Sequence, residues 1–513
     1  MKKINEESKL MKKALSKNNR TEVSCEYTLP DYYPDIKRVL HVFPCTRNTE
    51  VYVSDDKIEY DGNVCCGVLY RGEDKTLQYA ELKTELHDSI NTEESGSICD
   101  ISLEEESITV RAADPRKLTL KAKIKASADV YAEESIQPVY GGVDVNEENI
   151  QKKTSEIKLS DTFVCTENGI GMSEDIIIPD RAPQAERVVL VSLVPLASEI
   201  SVENGKANVR TEAKGFVIYE TLSDKETPQA FVLPVSVMLS HMVNCGEITE
   251  NSVCTGKTVI YDITASVAED TQGEKRVIEL DFLYDIKLTC KNEGVTAAVS
   301  DVYCVSCGCD VKRKDISVES NVSTVKGNFS INYEIPQDIA QKIDGDVLFA
   351  SGNIEDCSVS VCAGKLECSG SAEITVVYGD EEYDCVRFLL PFKGELDSPF
   401  KSANEVCTSC CKCTDVKIRC DGERCFADAE IYVDSMVCEK NTASVVDTAE
   451  FTEKCQKDSP SAFTLYYPTQ EETLWDVAKK YGVFANDLQK ANGTYSEGSN
   501  KKVILIPKAK KRV

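Results

Sequence analysis

The residues whose spacing first suggests chemistry are cysteines. The chain of 513 residues carries 24 of them. Two groups are dense: Cys304-x-x-Cys307-x-Cys309 and Cys407-x-x-Cys410-Cys411-x-Cys413. Thiolates at such spacing are one half of a structural zinc site, which closes with four ligands in tetrahedral geometry. The two halves of such a site usually lie about 15–20 residues apart. Here they are separated by about a hundred residues and fall at non-equivalent places in a repeated pattern. Cys357, Cys362, Cys368, Cys385 and Cys425 stand where ordinary strand residues would. The expectation is therefore no metal and no cofactor, with cysteine acting as a small hydrophobe. In a reducing cytosol the thiols begin free, and they crosslink only if their surroundings later become oxidising.

Other chemistries find little footing. There are only three histidines, His41, His87 and His241, none at a repeated position. No H-E-x-x-H helix, G-x-S-x-G elbow or G-x-x-x-x-G-K-[ST] loop occurs. Gly169-x-Gly171 lacks the third glycine of a dinucleotide fingerprint. Acidic side chains are so abundant that no single pair is informative, and Glu104-Glu105-Glu106 reads as a charged strand edge. No catalytic residue is expected, and the chain is read as not an enzyme. A formal net charge of −28 argues against nucleic acid, which needs clustered Lys and Arg. Basic residues collect instead in residues 1–21 (Lys2, Lys3, Lys9, Lys12, Lys13, Lys17, Arg20), read as a solvated N-terminal tail, and in residues 508–513. The N-terminal stretch has no apolar run of signal-peptide length, and no 18-residue apolar span occurs. No transmembrane segment and a cytoplasmic location follow as expectations.

The elements that position these residues are mostly strands, and they repeat. Residues 57–70 (KIEYDGNVCCGVLY), 206–219 (KANVRTEAKGFVIY) and 365–378 (KLECSGSAEITVVY) align without gaps. Each follows an alternating apolar stretch (Val51 and Val53, Ile200 and Val202, Val359 and Val361), the period of a strand with one buried face. Upstream stand residues 29–40 (LPDYYPDIKRVL), 178–190 (IPDRAPQAERVVL) and 335–347 (IPQDIAQKIDGDV), where Pro34 or Pro183 predicts the start of a short helix. Downstream, Arg116, Arg276 and Arg424 open further alternating strands. The reading is three β-rich domains, residues 22–145, 170–311 and 327–450, joined by polar linkers at 146–155 and 312–325. The repeats resemble the SPOCS domain of SipL-type spore-coat morphogenetic proteins. The likeness rests on Pro30-Asp31…Pro34-Asp35, the hairpin ending at Tyr70, and Pro115-Arg116-Lys117.

Residues 463–508 form a fifth segment. A strand over 464–467 leads to a helix from Glu472 or Thr473, with Leu474, Val477, Ala478 and Tyr481 on one face and Gly482 as its cap. A second helix over 485–491 and a strand over 503–506 complete a βααβ order. Tyr466, Thr473-Leu474-Trp475, Lys480-Tyr481-Gly482, Asn492 and Leu505-Ile506-Pro507 resemble the LysM pattern. The fold class is thus mainly β, three SPOCS-like domains followed by a small α+β LysM-like domain. The LysM resemblance implies a glycan groove near Glu472, Thr473, Leu474, Trp475, Asn492 and Gly493. Two departures argue against sugar: Glu471-Glu472 replaces the family's Gly-Asp, and Asn500-Lys501-Lys502 replaces its last turn. The SipL resemblance implies a scaffold in spore-coat assembly, made in the mother-cell cytosol and placed at the forespore surface. It also implies a LysM that docks the coat basement-layer ATPase, among other coat proteins. Trp475, the only tryptophan, is the expected anchor for that partner. The alternative is a peptidoglycan-binding protein of the cell wall or spore cortex.

Overall fold

The computed structural model describes residues 9–54, 56–92, 98–221, 228–380, 382–400, 405–421, 424–453, 463–469, 472–493 and 503–507. The fold is mainly β. Its first part is β1 (Lys9–Thr28), a meander of β2 (Ile36–Val53), β3 (Lys57–Gly72) and β4 (Leu77–Asn91), and a hairpin of β5 (Ile98–Asp114) and β6 (Lys117–Ser135). The meander makes one sheet, and the hairpin captures β1 to make a second, in the order β1-β6-β5. After the short β7 (Val139–Gly142) the same connectivity recurs. β8 (Ile150–Ile177) precedes β9 (Arg187–Glu203), β10 (Lys206–Thr221) and β11 (Gln229–Asn244), and then β12 (Val253–Ala268) and β13 (Val277–Cys304). A third time, β14 (Gly308–Glu334) precedes β15 (Val347–Cys362), β16 (Lys365–Tyr378) and β17 (Asp384–Asp397), and then β18 (Glu405–Asp421) and β19 (Arg424–Thr452). The outer sheets run β12-β13-β8 and β14-β19-β18, matching the first.

Alternation explains why these sheets pair face to face. Along β6, Leu118, Leu120, Ala122, Ile124, Ala126, Ala128 and Val130 are all buried while the residues between them are polar. The strands closing residues 57–70 and its equivalents end in buried tyrosines, Tyr70, Tyr219 and Tyr378. Glu104, Glu105 and Glu106 are exposed on β5, whose only ladder partner among the described residues is β6.

Three expectations are corrected. The basic segment expected to be a solvated tail enters the fold: from Lys9 onward it is hydrogen-bonded along β6, with Lys13 paired to Asp129 at 2.8 Å. The polar linkers are largely strand as well: 312–325 lies wholly within β14, and 150–155 lies in β8, preceded by a 3-10 turn over Glu147–Asn149. Charge on one face of a strand is compatible with apolar residues on the other, and Ile157, Leu159, Ile316 and Val318 share a buried cluster with Ile136 and Val445. Finally, no helix starts at Pro34 or Pro183; residues 31–35 and 180–185 are turns. A proline disfavours helical backbone in the residue before it and has no N–H to give. In the third unit Ala340 takes that place. Its N–H donates to the Pro336 carbonyl at 2.9 Å, and the short helix α1 (Gln337–Ala340) forms there instead.

The repeated arginine is explained by the same turn. Arg116 donates to the Pro30 carbonyl at 2.8 Å and to Asp35 Oδ1 at 2.7 Å, and Arg276 donates to the Ala182 carbonyl at 2.9 Å. Carbonyls that a helix would have satisfied are satisfied by a guanidinium. Arg424, beside a turn that is helical, is 74% exposed, and its ion-pair partner among the described residues is a distant Glu334 at 3.8 Å.

The three meanders meet at a common centre. Leu40, Leu69 and Leu77 pack with Val189, Leu190, Ile218 and Ala230 and with Phe349, Val377 and Tyr383. Equivalent cross-strand pairs face one another there: His41 with Leu69, Leu190 with Ile218, Phe349 with Val377. Phe43, Phe216 and Phe349 pack together between them, the last two tilted with centroids 4.9 Å apart. Beside this centre β10 and β9 approach closely at Gly215, where a Cβ would lie 1.8 Å from the Ser192 carbonyl oxygen. Gly215→Ala must push two backbones apart and is expected to cost about 2–4 kcal/mol, read as a lowered thermal midpoint by circular dichroism. A midpoint equal to wild type would contradict that approach.

Candidate functional site

The C-terminal module consists of β20 (Phe463–Tyr466), α2 (Leu474–Tyr481), α3 (Ala485–Asn492) and β21 (Ile504–Pro507), with β20 and β21 antiparallel. Thr473 starts α2 through a reciprocal capping box with Asp476, and Gly482 ends it in the left-handed conformation at φ 61°. Val477, Ala478, Val483, Phe484, Leu488, Ile504 and Ile506 form its core. That core is not closed by the module alone. Tyr303, at the far end of β13, and Val305, just beyond it, belong to the same cluster.

Trp475 is the hinge of this contact. Its ring meets Tyr303 edge-on with centroids 4.9 Å apart, and its Nε1–H donates to Asp301 Oδ2 at 2.7 Å. Lys479 Nζ donates to Asp301 Oδ1 at 2.6 Å, Arg313 reaches the same carboxylate at 2.9 Å, and Tyr303 OH donates to the Val483 carbonyl at 2.8 Å. Burial pushes the Asp301 carboxyl up, but the Lys479 and Trp475 donors outweigh it and hold it below the usual range. The indole expected to anchor another protein is therefore engaged by the chain's own second unit.

The other residues singled out in the sequence also have local work. Glu472 accepts from Tyr466 OH at 2.7 Å and from the Thr469 N–H at 2.9 Å, donors that hold its carboxyl below the usual range. Asn492 clips α3 to β21: its amide donates to the Leu488 and Leu505 carbonyls and accepts from the Leu505 N–H, each at 2.8 Å. Leu474 packs at the core's margin, and Gly493 has φ 63° and is exposed. Glu471 and residues 500–502, the departures from the LysM pattern, lie outside the described residues. What the module does expose is an apolar strip along β20 and its exit: Phe463 (57% exposed), Leu465 (56%) and Tyr467 (67%). Period-two alternation put these three on one face, and the sequence reading passed over them for the loop residues.

The remaining chemistry-bearing groups divide. His87 pairs with Asp61 and His241 with Glu167, while His41 is buried at the centre of the three meanders. Among the described residues four cysteine pairs are disulfide-bonded, Cys165–Cys245, Cys254–Cys290, Cys304–Cys307 and Cys420–Cys425, which corrects the expectation of thiols throughout. Two of these pairs face each other directly across a hairpin, a proximity that strand register creates and residue spacing conceals. Burial pushes the thiols of Cys45 and Cys413 up to about 12 and that of Cys99 to about 11, the behaviour of inert core residues. Among the described residues no helix is long and apolar enough to cross a membrane.

A family model described as SipL, SPOCS domain, matches residues 35–113. The chain is similar to SipL there. That span holds the β2-β3-β4 meander and nearly all of β5, and the match points to a sporulation-related role. No curated protein and no solved structure matches the chain.

Proposed function

We propose that the chain is a non-enzymatic scaffold of spore-coat assembly, with three SPOCS-type units and a LysM-type module that docks a coat protein at the forespore surface. The SipL similarity supports the process, and the recurring connectivity supports reading the unmatched second and third units as further copies. Three units sharing one apolar centre hold their outer surfaces in fixed relation, as a platform for several weak contacts requires.

The observation that carries the docking role is the exposed strip Phe463, Leu465 and Tyr467. An apolar strip of this kind suits a protein surface, whereas Glu472, Thr473 and Asn492 of the expected glycan groove hold the module together and Trp475 is engaged by the second unit. The coat basement-layer ATPase implied by the SipL resemblance is the first partner to try. Full-length protein is expected to be retained on the immobilised ATPase and not to co-sediment with insoluble peptidoglycan. Leu465→Asp, on an exposed side chain, is expected to weaken retention about tenfold or more without lowering the thermal midpoint. Co-sedimentation with peptidoglycan alone would favour the cell-wall reading, and equal binding by Leu465→Asp would remove the strip from the interface.

A further inference from the structure

Between the two sheets of the third unit, three thiols converge from three different strands. Cys357 lies on the edge strand β15, Cys368 on the neighbouring β16, and Cys411 on β18 of the opposing sheet. Their sulfurs are 2.8 Å (Cys357–Cys411), 3.5 Å (Cys357–Cys368) and 3.7 Å (Cys368–Cys411) apart. From this geometry we propose that Cys357, Cys368 and Cys411 bind a thiophilic d10 cation, Zn2+ being the representative, with a fourth position open to solvent or a small ligand.

The distances suit such an ion. Zinc–thiolate bonds of about 2.3 Å in tetrahedral geometry place ligand sulfurs roughly 3.8 Å apart. Two of the three separations are already close to that value. The third opens by turning Cys357, which is exposed and on an edge strand. Cys368 is buried at the inner side and Cys411 is half-buried, so the triangle presents one vertex to solvent and gives the ion a way in.

The repeat explains how room arose. Aligned on Lys57, Lys206 and Lys365, the position of Cys368 is held by the fully buried Tyr60 in the first unit and by Val209 in the second. Replacing a phenol ring with a thiol removes volume from a packed interior, which leaves a void unless something fills it. An odd number of thiols also cannot be consumed by disulfides alone. Of the three, only Cys411 falls in a dense cysteine group of the sequence; strand pairing and sheet packing, not spacing, bring Cys357 and Cys368 to it.

The test uses full-length protein purified under reducing conditions with a chelator and then titrated with Zn2+ against a chromophoric competitor. Cobalt(II) serves as a spectroscopic substitute through its thiolate charge-transfer band. Wild type is expected to bind one zinc equivalent that Cys357→Ser and Cys368→Ser lose, or bind weaker by more than the roughly 10- to 100-fold that loss of an outer-shell partner costs. Cys362→Ser, an exposed thiol outside the triangle, should retain it, and so should Cys407→Ser. Cys357→Ser lies on an exposed position, so its loss of zinc with unchanged circular dichroism cannot be ascribed to unfolding. Equal zinc stoichiometry in wild type and Cys357→Ser would overturn the proposal. So would a reduced wild-type protein that binds no zinc, or a Cys357–Cys411 disulfide found by mass spectrometry in anaerobically prepared protein.

Discussion

Replacing Asp301 by alanine is expected to release the C-terminal module from the second unit. The carboxylate accepts from the Trp475 indole, from Lys479 and from Arg313, and only 12% of its side chain is exposed. Removing a half-enclosed anion with three donors leaves those donors unpaired, a loss of about 3 kcal/mol where burial is substantial. Since each 1.4 kcal/mol is a factor of ten, the undocked population should rise about 100-fold. Trp475 is the chain's only tryptophan, so its fluorescence reports the event directly. Asp301→Ala should shift the emission to longer wavelength as the indole leaves Tyr303 for water. Tyr303→Ala should act in the same direction, through loss of the edge-on ring contact and of the bond to the Val483 carbonyl. Trp475→Ala, followed by hydrogen exchange at Val483 and Ala485, provides the complementary view from the module's side. The carboxyl is held below its unfolded value, so its contribution is present above about pH 4 and is lost as pH falls through the lower folded value. An emission maximum that does not move in Asp301→Ala would place the indole elsewhere.

How far these features were legible in the sequence depends on how local their causes are. Period-two alternation in residues 57–70 and its equivalents is a local signal, and it yielded β3, β10 and β16 with their buried tyrosines. The capping box at Thr473 and the left-handed Gly482 are local too, and α2 begins and ends there. The linkers read at 146–155 and 312–325 misled because Lys, Glu and Asp dominate one face of β8 and β14 there. A composition average hides the inward Ile157, Ile316 and Val318. Trp475 misled differently. An indole on a small domain looks available until Asp301, 174 positions earlier, is brought beside it by the fold. Cys357, Cys368 and Cys411 share that property, since strand register and sheet packing, not spacing, make them neighbours.

His41 carries the second large effect, and its position in the repeat is the reason. Where the second and third units place Leu190 and Phe349 at the common centre, the first places an imidazole. The ring is 4% exposed, packs edge-on against Phe43 at 4.4 Å, and neither nitrogen has a hydrogen-bond partner among the described residues. Burial, with a smaller push from the Arg387 charge, lowers its pKa to about 3. The unfolded chain titrates the same group near 6.5. Below that value the unfolded state holds one more proton than the folded state, so stability falls with pH by about 1.4 kcal/mol per unit until the folded value is reached. Above about pH 6.5 this term is flat. His41→Leu installs the side chain that the second unit already uses at this place, and it removes two unsatisfied nitrogens as well as the proton linkage. The variant should equal or exceed wild type at pH 8 and surpass it by about 2 kcal/mol more at pH 5. Denaturant unfolding at the two pH values measures the difference. Because every other titrating group is common to both proteins, the change in their gap isolates His41, and parallel pH profiles would show that the imidazole does not sit buried where the three meanders join.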